Sequence, residues 1–221
     1  FGELPGAGRR RPDRDRAGLY SQRSQRHLGG VHGNGGGGGT DGSDGIALGN
    51  SIFLRSGSSL TFLAQDTGDL LTLGQGVQFA DDTALGAGGT SVVVAGKGTV
   101  VYNGTTDYQG FVRVNNAKFK VNGEIDAAPV YVCRNPALSS ERGALSGGGT
   151  LSGSVFVNSG TIAPDPGATL TLGSLSLNSA NPTNNTLGSL VQIAIDANST
   201  TSVVSVTGAA KTLVKRRSYS R

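Results

Sequence analysis

The chain has 221 residues, enough for one or two ordinary domains and a sizeable core, so small size does not force disulfides or metals on it. Thirty-seven residues are glycine, about one in six against a usual level of roughly 7%, while aromatics make up 5% and Met and Trp are absent. Each helix-interior glycine costs about 1 kcal/mol, which argues against a compact helical enzyme, and the formal charge of +4 raises the question of an anionic partner.

The charge is not evenly spread. Residues 1–33 hold Arg9, Arg10, Arg11, Arg14, Arg16, Arg23 and Arg26, and residues 209–221 hold Lys211, Lys215, Arg216, Arg217 and Arg221. These twelve cations face only Glu3, Asp13 and Asp15, so the two ends carry +9, while residues 34–208 hold seven cations and twelve acids and carry −5. The basic balance therefore belongs to the ends. The chain is expected to divide into a disordered Arg/Gly-rich head (1–44), a folded segment (45–208) and a basic tail (209–221). The head lacks the continuous apolar stretch of a signal peptide. A chain that opens on Phe1 and holds no Met reads as a processed piece or an incomplete frame. The two Arg-rich ends are expected to be out-of-frame or broken-off sequence. Nowhere do about 18 apolar residues run together, so no transmembrane helix is expected.

From Gly45 the sequence becomes short apolar alternations between Gly, Asn and Asp: SIFL, SLTFLA, LLTL, VQFA, SVVVA, TVVY, FVRV, KFKV, PVYV, TLSG, SVFV, GTIA, TLTL, SLSL, LVQIAID and SVVSV. Period two in Val, Thr, Leu and Phe predicts strands, and no window sustains helical spacing. A sandwich or barrel lacks the bulky residues to fill a layer of about 10 Å, whereas a solenoid fills a narrow core with stacked Val, Leu, Ile and Phe. Asn and Gly suit its corners because they tolerate positive φ. At roughly 20–25 residues per coil, residues 45–208 predict about seven coils.

The stretch Gly98 to Gly123, GTVVYNGTTDYQGFVRVNNAKFKVNG, resembles the passenger-associated transport repeat of bacterial autotransporters, with Gly98, Thr99, Gly104, Tyr108, Gly110, Val112, Val114, Val121, Asn122 and Gly123 on the pattern. Asn116-Ala117 stands where that family usually has Ala-Gly. Leu145 to Leu177 is similar to the element that follows in such passengers, with Asp165-Pro166-Gly167 in place of Pro-Gly-Asn, and Leu190 to Ala210 is similar to a closing strand pair. Upstream, the glycine-rich run with SIFL and Phe79-Ala80-Asp81-Asp82 is similar to further passenger segments. The resemblance implies a right-handed parallel β-helix exported by type V secretion and displayed at the bacterial cell surface or outer membrane, or released outside the cell. It also implies a partner in the parent protein, an outer-membrane translocator barrel of about 12 strands. Only eleven residues follow Ala210, against the 9–11 or so that one barrel strand needs, so direct membrane insertion by this chain is not expected.

The residues offer little chemistry. Neither G-D-S-G nor G-x-S-x-G occurs, Gly68-Asp69-Leu70-Leu71 has leucine where a nucleophilic serine would stand, and His27 and His32 both lie in the head, so no catalytic triad is expected. Gly96-Lys97-Gly98 lacks the rest of a phosphate loop and reads as a corner. Asp81-Asp82 and Glu124 with Asp126 are the remaining carboxylate pairs, read as solvated strand ends because strand neighbours point to opposite faces. Asp41 and Asp44 in GTDGSDG have the wrong spacing for a calcium repeat. Asn103, Asn184 and Asn198 begin glycosylation-like triplets better read as corners. Cys133, the one cysteine, reads as a small strand residue. Nothing accompanies the Arg-rich head that would read bases, so no nucleic-acid partner is expected. The expectation is a non-enzymatic stalk segment of an adhesin-like passenger, with no catalytic, metal or cofactor site and a host-cell or matrix ligand that the sequence does not name. The alternatives are a secreted β-helix polysaccharide lyase or hydrolase, and a non-functional gene fragment.

Overall fold

The computed structural model divides the chain after Ala47, and the residues it describes all lie in the second unit, Leu48–Arg221: 51–83, 86, 88–106, 108–134, 141–178, 188–195 and 200–213. Among them there is no α-helix, and every strand ladder is parallel.

Eighteen strands recur in threes. A first face carries β1 (Ile52–Leu54), β4 (Phe79–Asp81), β7 (Thr105–Thr106), β10 (Glu124–Ile125), the first halves of β13 (Thr150–Asn158) and β15 (Thr169–Asn178), and β17 (Val203–Val206). A second carries β2 (Ser59–Ala64), β5 (Ser91–Gly96), β8 (Phe111–Asn115), β11 (Val130–Cys133), the second halves of β13 and β15, and β18 (Ala210–Leu213). A third carries β3 (Leu70–Leu73), β6 (Thr99–Tyr102), β9 (Lys118–Val121), β12 (Ala144–Gly147), β14 (Thr161–Pro164) and β16 (Leu190–Val191). The chain visits the faces in the same order each time, so each strand pairs with its counterpart one circuit away. The result is a β-helix-like stack of parallel coils, about seven as the spacing predicts.

Coil length varies more than the sequence implies. Along the second face the register steps from Ser59 to Ser91, then to Phe111, and from Val112 to Val130, Val155, Leu175 and Ala210, that is 32, 20, 18, 25, 20 and 35 residues. The longer circuits carry extra residues between strands, as between Cys133 and Ala144.

Stacking places like on like. Leu60, Val92, Val112, Val130, Val155 and Leu175 form one inward column, and Phe62, Val94, Val114, Val132, Val157 and Leu177 the next. The third face contributes Leu71, Val100, Phe119, Leu145 and Ile162. In the middle coils these side chains are wholly buried, which is how period-two alternation of modest side chains builds a core without Met or Trp. Apart from Phe119, the buried aromatic rings cluster: Phe79 lies 5.8 Å from Phe62, 5.1 Å from Tyr102 and 6.4 Å from Tyr108 between ring centroids.

Several expected segments differ in extent. TLSG and SVFV fuse into β13, and TLTL and SLSL into β15, because each strand turns from the first face to the second without leaving the ladder. A register irregularity between Leu151 and Ser154 marks the bend in β13. Of LVQIAID only Leu190–Val191 is strand, and Ile195 makes an isolated antiparallel bridge to Thr201. Residues 210–213, placed in the basic tail on composition, are β18, paired with β15. The strands β7, β10 and β12 were not foreseen.

Candidate functional site

The stretch Gly98–Gly123 runs from β6 through β7 and β8 to β9, one full circuit, and its glycines sit at the corners between strands, while Thr99, Val112, Val114 and Val121 lie within β6, β8 and β9. Gly104 and Gly123 stack at the corner between the third and first faces. The amide of Glu124 donates to the Gly104 carbonyl at 2.8 Å, and that of Thr150 donates to the Gly123 carbonyl at 3.0 Å. A Cβ on Gly123 would run into the Gly104 carbonyl oxygen, and one on Gly104 into that of Val77. Asn122 donates from Nδ2 to Oδ1 of Asn103 at 2.9 Å, an asparagine ladder on the same corner. This is the corner role assigned to Asn103. Gly98 leaves no room for a Cβ, which would lie 2.5 Å from the Asp69 carbonyl oxygen, and Thr99 donates its amide to that oxygen at 2.9 Å.

Asn116 and Ala117 depart from the family pattern, and the backbone shows how. Asn116 has φ 61°, a left-handed conformation that Asn tolerates, and its Nδ2 donates to the Glu141 carbonyl at 2.7 Å. Gly96, with φ 109°, and Ser159, with φ 60°, turn the same corner in other coils.

Tyr108 and Gly110 close the corner leading into β8. Tyr108 is buried against Phe79, and a Cβ on Gly110 would strike the hydroxyls of both Thr90 and Tyr108. Thr90 donates to Oδ2 of Asp81 at 2.7 Å, and the Thr83 amide donates to Oδ1 at 3.2 Å. The Tyr108 hydroxyl finds no well-aligned partner among the described residues. Burial pushes its phenol up to about 12, the Thr90 hydroxyl working against this and the Asp81 carboxylate adding to it. Burial likewise pushes Tyr102 up to about 12, with Thr106 opposing; its hydroxyl donates to the Val77 carbonyl at 3.1 Å.

The carboxylate pairs sit at the ends of β4 and β10. Asp81 is buried, which corrects its reading as a solvated strand end: the connection from β4 to β5 folds back so that Thr83 and Thr90 donate to its two oxygens. Asp82 accepts the Ser56 amide at 3.0 Å. Glu124 lies in β10, and Asp126 is exposed beyond it. Gly96-Lys97-Gly98 is the turn from β5 to β6, and Leu70 and Leu71 begin β3. No group of three His, Cys, Asp or Glu gathers to hold a metal among the described residues. Cys133 ends β11 half-buried, and burial raises its thiol pKa against the opposing charge of Arg113. His27, His32, Asp41, Asp44, Asn184 and Asn198 lie outside the described residues.

One feature escaped the sequence reading: Phe111, Tyr131 and Phe156 point outward from adjacent coils of the second face and touch in series. The centroid of Tyr131 lies 6.2 Å from that of Phe111 at 90°, and 5.0 Å from that of Phe156 at 15°. Their spacing in sequence carries no signal without the register of β8, β11 and β13. Comparison of the chain with family models, curated proteins and solved structures returns no match.

Proposed function

We propose that this chain is a non-enzymatic stalk segment of a surface-exposed autotransporter passenger, part of an adhesin-like outer-membrane protein, and that its coils wind as a right-handed parallel β-helix. The observation that carries the reading is the placement of the repeat residues: Gly98, Gly104, Gly110 and Gly123 each stand where a Cβ would strike the neighbouring coil or its corner hydroxyls. A pattern shared with a solenoid repeat thus falls on the positions where a coil stack needs it. In this reading the stalk works by geometry, holding a binding surface away from the cell on a stack that grows by about 4.8 Å per coil.

Two measurements test it. The gene downstream of this segment is expected to encode a barrel of about 12 strands. Cells expressing the parent gene are expected to lose the segment to external protease while remaining intact. A downstream frame without such a barrel, or a segment protected from protease until lysis, overturns the export route.

A further inference from the structure

The central outward column of the second face reads Thr61, Val93, Arg113, Tyr131, Phe156, Ser176 and Lys211, one residue per coil. Its aromatic part is closed at one end. The guanidinium of Arg113 lies 5.7 Å from the Phe111 ring centre, Tyr131 meets Phe111 edge-on, and Tyr131 covers one face of Phe156. The other face of Phe156, which is 38% exposed, looks along the column toward Ser176 and Lys211. With coils about 4.8 Å apart, the backbones bearing Phe156 and Lys211 are about 10 Å apart, and only a serine side chain lies between them. This is a notch with an aromatic wall, a hydroxyl floor and an ammonium on the opposite side.

The charge around it is one-sided. No strand of the second face contains Asp or Glu, whereas Arg113 and Lys211 both point out from it. Asp66, Asp69, Asp81, Asp82, Glu124, Asp126, Glu141 and Asp165 all lie in other strands or corners. A polyanion lying along this face meets two outward cations and no strand carboxylate, and the third face, with Lys118 and Lys120, shares that lack of strand acids without the aromatic wall. An aromatic ring presents a negative π face, which suits the C–H face of a pyranose, and an ammonium binds a carboxylate. A gap of about two coil spacings holds one sugar ring in van der Waals contact with the aromatic wall.

We propose that the notch at Ser176, between Phe156 and Lys211, binds an anionic sugar of an acidic polysaccharide, its C–H face on Phe156 and its carboxylate at Lys211. The inference rests on the stacked register and stands independently of the stalk reading. The test is titration of the full chain with trigalacturonate and with its methyl ester, followed by NMR. Saturable binding of the acid is expected, weakened at least about tenfold by Phe156→Ala, by Lys211→Gln and by esterification. Phe156→Leu keeps an apolar contact for Tyr131 while removing the ring face, and it is expected to weaken binding similarly with an unchanged circular dichroism spectrum. Substituting Arg9, Arg10 and Arg11 with Gln is expected to leave binding unaltered. Absence of saturable binding, equal binding by Phe156→Leu, loss through the head arginines, or equal competition by polyglutamate or single-stranded DNA each overturns the proposal.

Discussion

Gly123 and Gly68 have the same side chain and opposite tolerance. A Cβ on Gly123 would occupy the space of the Gly104 carbonyl that receives the Glu124 amide, whereas nothing lies within 4 Å of one on Gly68. Gly123→Ala is expected to cost about 1–3 kcal/mol and Gly68→Ala less than about 0.5, measured by urea unfolding. Equal costs would mean that the corner gives way freely. Tyr102 and Tyr108 add a dependence on pH. Each phenol holds its proton more tightly folded than unfolded, so the stability linked to it is full below about 10 and is lost as pH rises through about 12. Urea midpoints are expected to fall across that window, and to fall less in Tyr108→Phe. This substitution is expected to change little at neutral pH, since the hydroxyl has no well-aligned partner among the described residues.

At the scale of elements, the turn at Asn116 separates conformation from hydrogen bonding. Asn116→Gly keeps the left-handed φ of 61° and loses the bond to the Glu141 carbonyl, at a cost of about 1 kcal/mol. Asn116→Val also places a β-branched residue in that conformation and is expected to cost about 2–3 kcal/mol. If the two cost the same, the backbone at this corner contributes nothing. Strand identity was legible because inward Val, Leu and Phe alternate with outward Ser, Thr and Lys, as in Leu60, Phe62 and Val112, Val114. Strand ends were not. At Gly153 and Gly173 the text shows a break between apolar runs, yet β13 and β15 continue through them because the neighbouring coil supplies ladder partners on both sides. β7 and β10 are two residues each, too short to alternate, and exist through pairing with one another and with β13. Outward contacts such as Tyr131 on Phe156 depend on coil lengths of 18 to 25 residues that no local pattern encodes.

For the second unit as a whole, burial is graded along the stack. Val94, Val114, Val132 and Leu151 are inaccessible, while Leu190, Val191, Ile195 and Val203 near one end, and Leu63 and Leu70 near the other, are exposed. Each coil contacts only its neighbours, so a coil without a second neighbour opens first. Native-state hydrogen exchange is expected to be slowest in β8, β11 and β13 and fastest in β16 and β17. Uniform protection would instead mark a single cooperative block.

The unequal coils have a mechanical consequence. Tension along the stack loads the interfaces between coils in series, so coils peel away one at a time, each releasing a length set by its own residue count. A circuit of 20 residues yields about 70 Å of chain, and the circuits of 18 and 35 residues yield proportionately less and more. A single-molecule extension trace of this unit is expected to show steps of unequal height, and their order would report the end from which it unravels.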